Sequence, residues 1–318
     1  MDNLASGFIP ISVSMLAPAS VVGVELFQAE HKSRRYVLYR ASDYPLKQTD
    51  LTKLRHRGVH QLFIRKGAQA SYQSYLRQMI DNPGDDVPVS ARVGALNEVV
   101  RDLLDSAFRA GDTDATVSTA NYLGQRTADI VCNDQFTRSD LFRVLHHDYA
   151  TFTHSANVAF YAGMLAAELG FSQEDVAAIS SGGLIHDIGK LKIPDKILCK
   201  PGRLSEMEFR EIKMHPVTGL NQLVHREGLV EGQLMMVYQH HERVCGGGYP
   251  VGIGDDDIHP WAKLCAVVDV FEALTSNRPY RTPIPKRRAI ELLEHEREGY
   301  EQEFLECWKK ITSKLWQR

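Results

Sequence analysis

Seven side chains from position 154 onward in this 318-residue chain share a chemistry: His154, His186, Asp187, His215, His240, His241 and Asp269. Each falls in or at the end of an apolar helical segment, where a buried imidazole or carboxylate needs a partner. A divalent transition metal satisfies both kinds, because neutral imidazole nitrogen and carboxylate oxygen are both good ligands for iron, manganese or zinc. Any one of these histidines, taken alone, is more simply a satisfied core or surface residue. Gathered from separate helices of one bundle, the mixed set is of the kind that houses paired metals. Two ions about 3.5–4 Å apart activate a water and clamp both oxygens of an in-line phosphoryl displacement. The adjacent His240 and His241 stand about 100° apart if both are helical. They therefore straddle two ions, or supply one ligand and one surface residue.

The elements that must carry these residues read as helices. The run containing His154 ends at Gly170, and Ser172 with Asp175 opens the next helix, which ends in His186-Asp187 and stops at Gly189. Ser205 with Glu208 repeats that start signature, and Pro216 opens a further helix after His215. Leu229–Glu242 carries the histidine pair, and a glycine-rich loop, Cys245 to Pro250, follows it. Trp261–Thr275 is strongly apolar except for Asp269, with Glu272 about one turn on and on the same face.

Residues 1–82 change character every few positions. Val21–Phe27, Arg35–Arg40 and Gln61–Lys66 read as strands, Asp50–Arg57 and Ser71–Ile80 as helices, giving a small α+β regulatory domain or a structural cap. Asn82 to Pro88 breaks regular structure as a linker, and two helices, Ala91–Ala110 and Asp114–Asn133, complete a connector over 83–138. The all-α domain occupies 139–318, so the fold class is mainly α. A formal net charge of −3 supplies no basic field for a nucleic acid polymer or an anionic membrane. Five cysteines without CxxC spacing indicate free thiols and a cytoplasmic protein, and provide no thiolate set for a structural zinc. Phe8–Phe27 is too interrupted by Pro, Ser and Glu to be a signal peptide or membrane span.

Four motifs in order, His-Asp-Ile-Gly-Lys (186–190), His-His-Glu-Arg (240–243), Gly-Gly-Tyr-Pro (247–250) and Asp-Val-Phe-Glu-Ala-Leu-Thr-Ser-Asn-Arg-Pro-Tyr-Arg (269–281), resemble the HD-GYP family. Its members are cyclic di-GMP phosphodiesterases within the HD metal-dependent phosphohydrolases. Over residues 140–300 the resemblance implies an HD-type helical bundle and metal binding by His154, His186, Asp187, His215, His240, His241 and Asp269. It implies that Asp187 bridges two ions, iron first and manganese as the alternative, with a metal-bridging hydroxide as nucleophile. A third metal is tied in some members to a Glu one turn before the first His. That position is Ala150 here, so two ions are expected.

Lys190 and Arg278 match positions that hold substrate phosphates, with Lys190 also counted as catalytic beside Asp187. Gly248, Tyr249, Pro250 and Glu272 are expected at the substrate. The sequence departs from the family where Cys245 replaces an Asp, Gly247 a hydroxyl residue and Glu272 an Asp. These departures bear on loop rigidity and recognition. The expected reaction is hydrolysis of cyclic di-GMP to the linear dinucleotide and on to GMP. A non-catalytic nucleotide sensor and a phosphohydrolase of another nucleotide are the alternatives. A second copy of the chain and signalling proteins are the candidate partners.

Overall fold

The computed structural model describes residues 7–30, 35–82, 84, 87–133, 151–198, 200, 202–276 and 282–313. Two compact units divide the chain, Met1–Val99 and Val100–Arg318. No described helix is long and apolar enough to cross a membrane.

The first unit holds β1 (Phe8–Ser12), β2 (Leu26–Glu30), β3 (Arg35–Arg40), α1 (Gln48–His56), β4 (Gln61–Arg65) and α2 (Gln69–Asp81). The strands form one antiparallel sheet in the order β1-β4-β2-β3. Alternation in β4 buries Leu62 and Ile64, while Gln61 and Arg65 stay exposed. These join Leu51 and Leu54 of α1 and Leu76, Met79 and Ile80 of α2 in the buried set. The aromatic side chains of Phe8, Phe27, Tyr36 and Phe63 contact one another, the Phe8 and Tyr36 rings stacking at 4.2 Å.

Two local readings need correction. β1 was not among the expected strands; it is an edge strand and its Pro10 is exposed, which is where a strand tolerates a missing donor. The strand expected over Val21–Phe27 begins only at Leu26, because Gly23 takes a positive φ of 75° and turns the chain.

α3 (Val89–Ala110) crosses the unit boundary. The second unit continues with α4 (Thr113–Asn133), α5 (Thr151–Glu168), α6 (Gln173–Ile185), α7 (Asp195–Leu198), α8 (Glu206–Ile212), α9 (His215–Leu223), α10 (Glu231–Gln239), α11 (Pro260–Thr275), α12 (Lys286–His295) and α13 (Gln302–Ser313). α6 packs against α4, α5 and α10, and α11 packs against α5, α10, α12 and α13. Phe160, Tyr161, Phe271 and Trp308 are fully buried between these helices. The start signals act as their residue types dictate. Ser172 Oγ accepts the Asp175 N–H, and Ser205 with Glu208 closes a reciprocal capping box. Residues 139–150, including Ala150, lie outside the described residues, as does Arg278.

Candidate metal centre

Both halves of the His186-Asp187 pair are delivered by the end of α6. His186 is the helix C-cap, Asp187 follows, and the 3-10 turn Ile188–Lys192 packs against α9. Gly189 makes that approach feasible: a Cβ there would overlap the His215 carbonyl oxygen and lie 2.7 Å from Gly219 N. The His186-Asp187 end of one helix and the His215 start of another are thereby held together.

The seven donor residues converge in two groups. Asp187, His215, His240 and His241 bring one ligand atom each to within 4.8 Å of one another, and so do His154, His186 and Asp269. Asp187 faces both. Its Oδ2 lies 3.4 Å from Nε2 of His154 and of His186, while its Oδ1 lies 3.2 Å from His215 Nε2 and 3.7 Å from His240 Nε2. Asp269 Oδ1 is 3.2 Å from His154 Nε2 and 3.8 Å from His186 Nε2.

Both members of the His240-His241 pair enter one group, with ring centroids 4.1 Å apart. The pair sits at the end of α10, which stops at Gln239 with His240 as its C-cap. The expected choice between straddling two positions and losing one ring to the surface is replaced by this arrangement.

The ring tautomers follow from the backbone. Nδ1 of His186, His215 and His240 each lies 2.8 Å from a carbonyl of the preceding turn, Gly183, Ile212 and Met236 respectively. A carbonyl only accepts, so each Nδ1 carries the proton and each Nε2 presents its lone pair to the cluster. His154 differs, because its Nδ1 contacts Oε2 of Glu272.

Electrostatics sets two kinds of histidine. Burial opposes a charge on His154, but the Glu272 charge and contacts with Asp187, Asp269 and Glu272 hold its pKa well above the ordinary imidazole value. Burial pushes His240 down to about 4, and burial with the neighbouring His240 holds His241 well below its usual value. Burial works against ionising Asp187 and Asp269. Lys190 and His186 outweigh it at Asp187, and His154 and His186 at Asp269, keeping both carboxylates well below the usual range.

These groups fit a cation. His186 Nε2 and Asp187 Oδ1 are buried without a hydrogen bond among the described residues, and such orphaned atoms are costly unless something ligates them. Carboxylates converge on His154, a charge arrangement that protonation of the ring balances and that a divalent cation also balances.

The expected substrate residues fall in several places. Lys190 Nζ is 2.6 Å from Asp187 Oδ2, with its side chain 26% exposed. Gly248 packs on the backbone behind the histidine pair, where a Cβ would lie 2.5 Å from Glu242 Cα and 2.6 Å from His241 O. The Tyr249 ring stacks on His241 at 4.5 Å, and the Lys213 ammonium lies over the same ring at 5.1 Å. The Tyr249–Pro250 peptide is cis. Glu272, expected at the substrate, is instead 1% exposed and sits at Nδ1 of His154.

Four contributors were not anticipated. Glu242, 2% exposed, accepts the N–H groups of Val251 (2.7 Å) and Gly252 (3.0 Å) and so anchors the loop. Its place inside His-His-Glu-Arg was the available signal. Asn157, one turn after His154, and Ser276, one turn after Glu272, hold Glu272. Their helical spacing could have suggested this. No signal pointed to Lys213.

A family model described as an HD domain matches residues 141–303. The chain is 32% identical over 253 residues to the cyclic di-GMP phosphodiesterase PA4108 of Pseudomonas aeruginosa, covering 74% of this chain and 60% of that protein. It is 35% identical over 141 residues to the 3'3'-cGAMP-specific phosphodiesterase 3 of Vibrio cholerae, covering 44% of this chain and 30% of that one. The chain thus spans less than two thirds of either relative. The solved structure of Bd1817, a HDG"Y"P protein from Bdellovibrio bacteriovorus, superposes with a TM-score of 0.67 at 18% identity, over 96% of this chain and 99% of that one, a likeness of fold.

Proposed function

We propose, since the chain belongs to the HD-domain family in its HD-GYP branch, that it is a metal-dependent phosphodiesterase acting on a cyclic dinucleotide. Cyclic di-GMP is the first substrate, opened to the linear dinucleotide and then cut to GMP. The observation that carries the reading is the pair of donor groups joined by Asp187, one carboxylate oxygen facing each.

His154, His186 and Asp269 would hold one ion, His215, His240 and His241 the other, and Asp187 both. Iron is the first choice and manganese the second, given the mixed imidazole and carboxylate set. Bound ions supply Lewis acidity at the phosphoryl oxygens and an acidified water as nucleophile.

The protein's own residues prepare the site. The backbone carbonyls behind His186, His215 and His240 fix the tautomers, so no proton need be rearranged for those rings to act as donors. Lys190 uses one ammonium donor on Asp187, and its remaining donors are available to a phosphate oxygen. The loop anchored by Glu242 places Tyr249 beside His241, at the edge where a guanine base would lie. Residues 1–82 are assigned a regulatory role and 83–138 the connection to the catalytic part.

A second substrate, 3'3'-cGAMP, is favoured by the Vibrio cholerae relative's specificity. The test is metal analysis of anaerobically prepared protein alongside turnover of cyclic di-GMP and 3'3'-cGAMP. Close to two transition ions per chain with product from either substrate supports the reading. Binding without product makes the protein a nucleotide sensor.

A further inference from the structure

One histidine of the cluster is held differently from the three whose Nδ1 partners are backbone carbonyls. His154 faces a carboxylate, Glu272 Oε2, and that carboxylate is itself tied down. Asn157 Nδ2 donates to Glu272 Oε1 at 3.0 Å, and Ser276 Oγ donates to the same oxygen at 2.5 Å. Glu272 is 1% exposed, so it cannot turn to solvent without leaving both donors. Oε1 takes these two donors, and Oε2 faces the ring nitrogen. A carboxylate accepts and never donates, so it fixes the proton on Nδ1 and leaves Nε2 as the donor atom toward Asp187 and Asp269. An anionic partner also raises ring basicity more than a neutral carbonyl does.

The two groups are thereby unequal. The His154, His186 and Asp269 group has its own carboxylate and a second one acting through His154. Among the described residues, the His215, His240 and His241 group has three imidazoles and only the shared Asp187. From this geometry we propose that Glu272 is a positioning residue for His154 and makes the His154, His186 and Asp269 group the tighter of two metal sites, filled first. The inference rests on the metal-dependent reading above and adds an order of loading and the residue that sets it.

Glu272→Gln tests the mechanism with a near-isosteric side chain. If Gln keeps its carbonyl under Asn157 and Ser276, its amide NH2 faces His154 Nδ1. An NH2 cannot accept the Nδ1 proton, so the ring takes the Nε2–H tautomer and loses its donor lone pair. The experiment is calorimetric titration of metal-stripped protein with Mn2+, alongside the histidine 15N spectrum of the protein loaded with diamagnetic Zn2+.

The parent protein is expected to bind in two separable steps. In Glu272→Gln the tighter step weakens by about 10- to 100-fold, the weaker step is unchanged, and the His154 tautomer switches. Glu272→Asp, which retains the charge, recovers part of the loss. Ser276→Ala, which removes one donor and little volume, weakens the same step to a smaller degree and decides the matter if Glu272→Gln does not fold. Equal affinities for both ions in the parent, or unchanged titrations in Glu272→Gln or Ser276→Ala, overturn the inference and leave the proposed function standing. A parent protein that binds no metal overturns both.

Discussion

His241 and Tyr249 stack nearly parallel, ring centroids 4.5 Å apart and planes 23° from each other, so a ring of the donor cluster and the tyrosine of the glycine-rich loop form one surface. The Tyr249 N–H also donates to the His241 carbonyl at 3.2 Å. The loop is therefore read through the histidine pair. Tyr249→Ala is expected to raise KM about tenfold, the effect of losing one aromatic contact with a base at roughly 1–3 kcal/mol. Tyr249→Phe keeps the stack and stays near the parent value. Steady-state kinetics on both variants decides this, and an unchanged KM in the alanine variant removes the loop from substrate binding.

Asp187 presents one oxygen to each donor group. Asp187→Ala is expected to lower bound metal below one ion per chain and to reduce turnover by on the order of 1000-fold or more, because loss of Lewis-acid assistance costs several kcal/mol. Metal analysis and turnover are measured on the same preparation. Turnover retained in that variant rejects the mechanism.

Glu242 anchors the loop through charge-assisted hydrogen bonds to Val251 and Gly252 N–H. Glu242→Gln is expected to cost about 1.5–3 kcal/mol of stability, read by chemical denaturation, and to raise KM while metal content stays at the parent level. Metal loss would instead place Glu242 among the residues that hold the ions.

Gly189 allows the turn after Asp187 to press against the His215 carbonyl. Gly189→Ala is expected to destabilise the protein by at least about 1–3 kcal/mol, the usual cost of overpacking. Loss of metal should accompany it, since the Asp187 and His215 ends of two helices are forced apart. A melting temperature equal to the parent's would disprove the close approach.

Glu208 is pulled down to about 2 by hydrogen bonds from Lys200 and from the Ser205 backbone, against an ordinary value of 4.5. A depressed carboxyl stabilises the fold above its unfolded pKa and loses that contribution as pH falls through its folded pKa. Glu208→Gln should thus melt below the parent at pH 7, with the gap shrinking between pH 4.5 and about 2. A gap that stays constant with pH contradicts the ion pair.

The donor chemistry was legible in the residues themselves. Residue type fixes which atoms can ligate a metal, and helical periodicity with capping signals fixes that His186-Asp187 ends one helix and His215 opens another. Those are local properties, written in spans of a few residues. The connection between Val21 and Leu26 was less legible, because a glycine's backbone conformation is not set by its neighbours' types.

Convergence was left to the tertiary structure. It decided that His240 and His241 share a group, because that depends on Asp187 and His215 being brought up to the end of α10. It turned Glu272 from the substrate toward His154, because α11 lies against α5 and presents that face to it. It set Lys190 on Asp187 and Tyr249 on His241. Helical spacing specifies a side chain's direction from its own axis, and only the packing of one axis against another specifies what it meets.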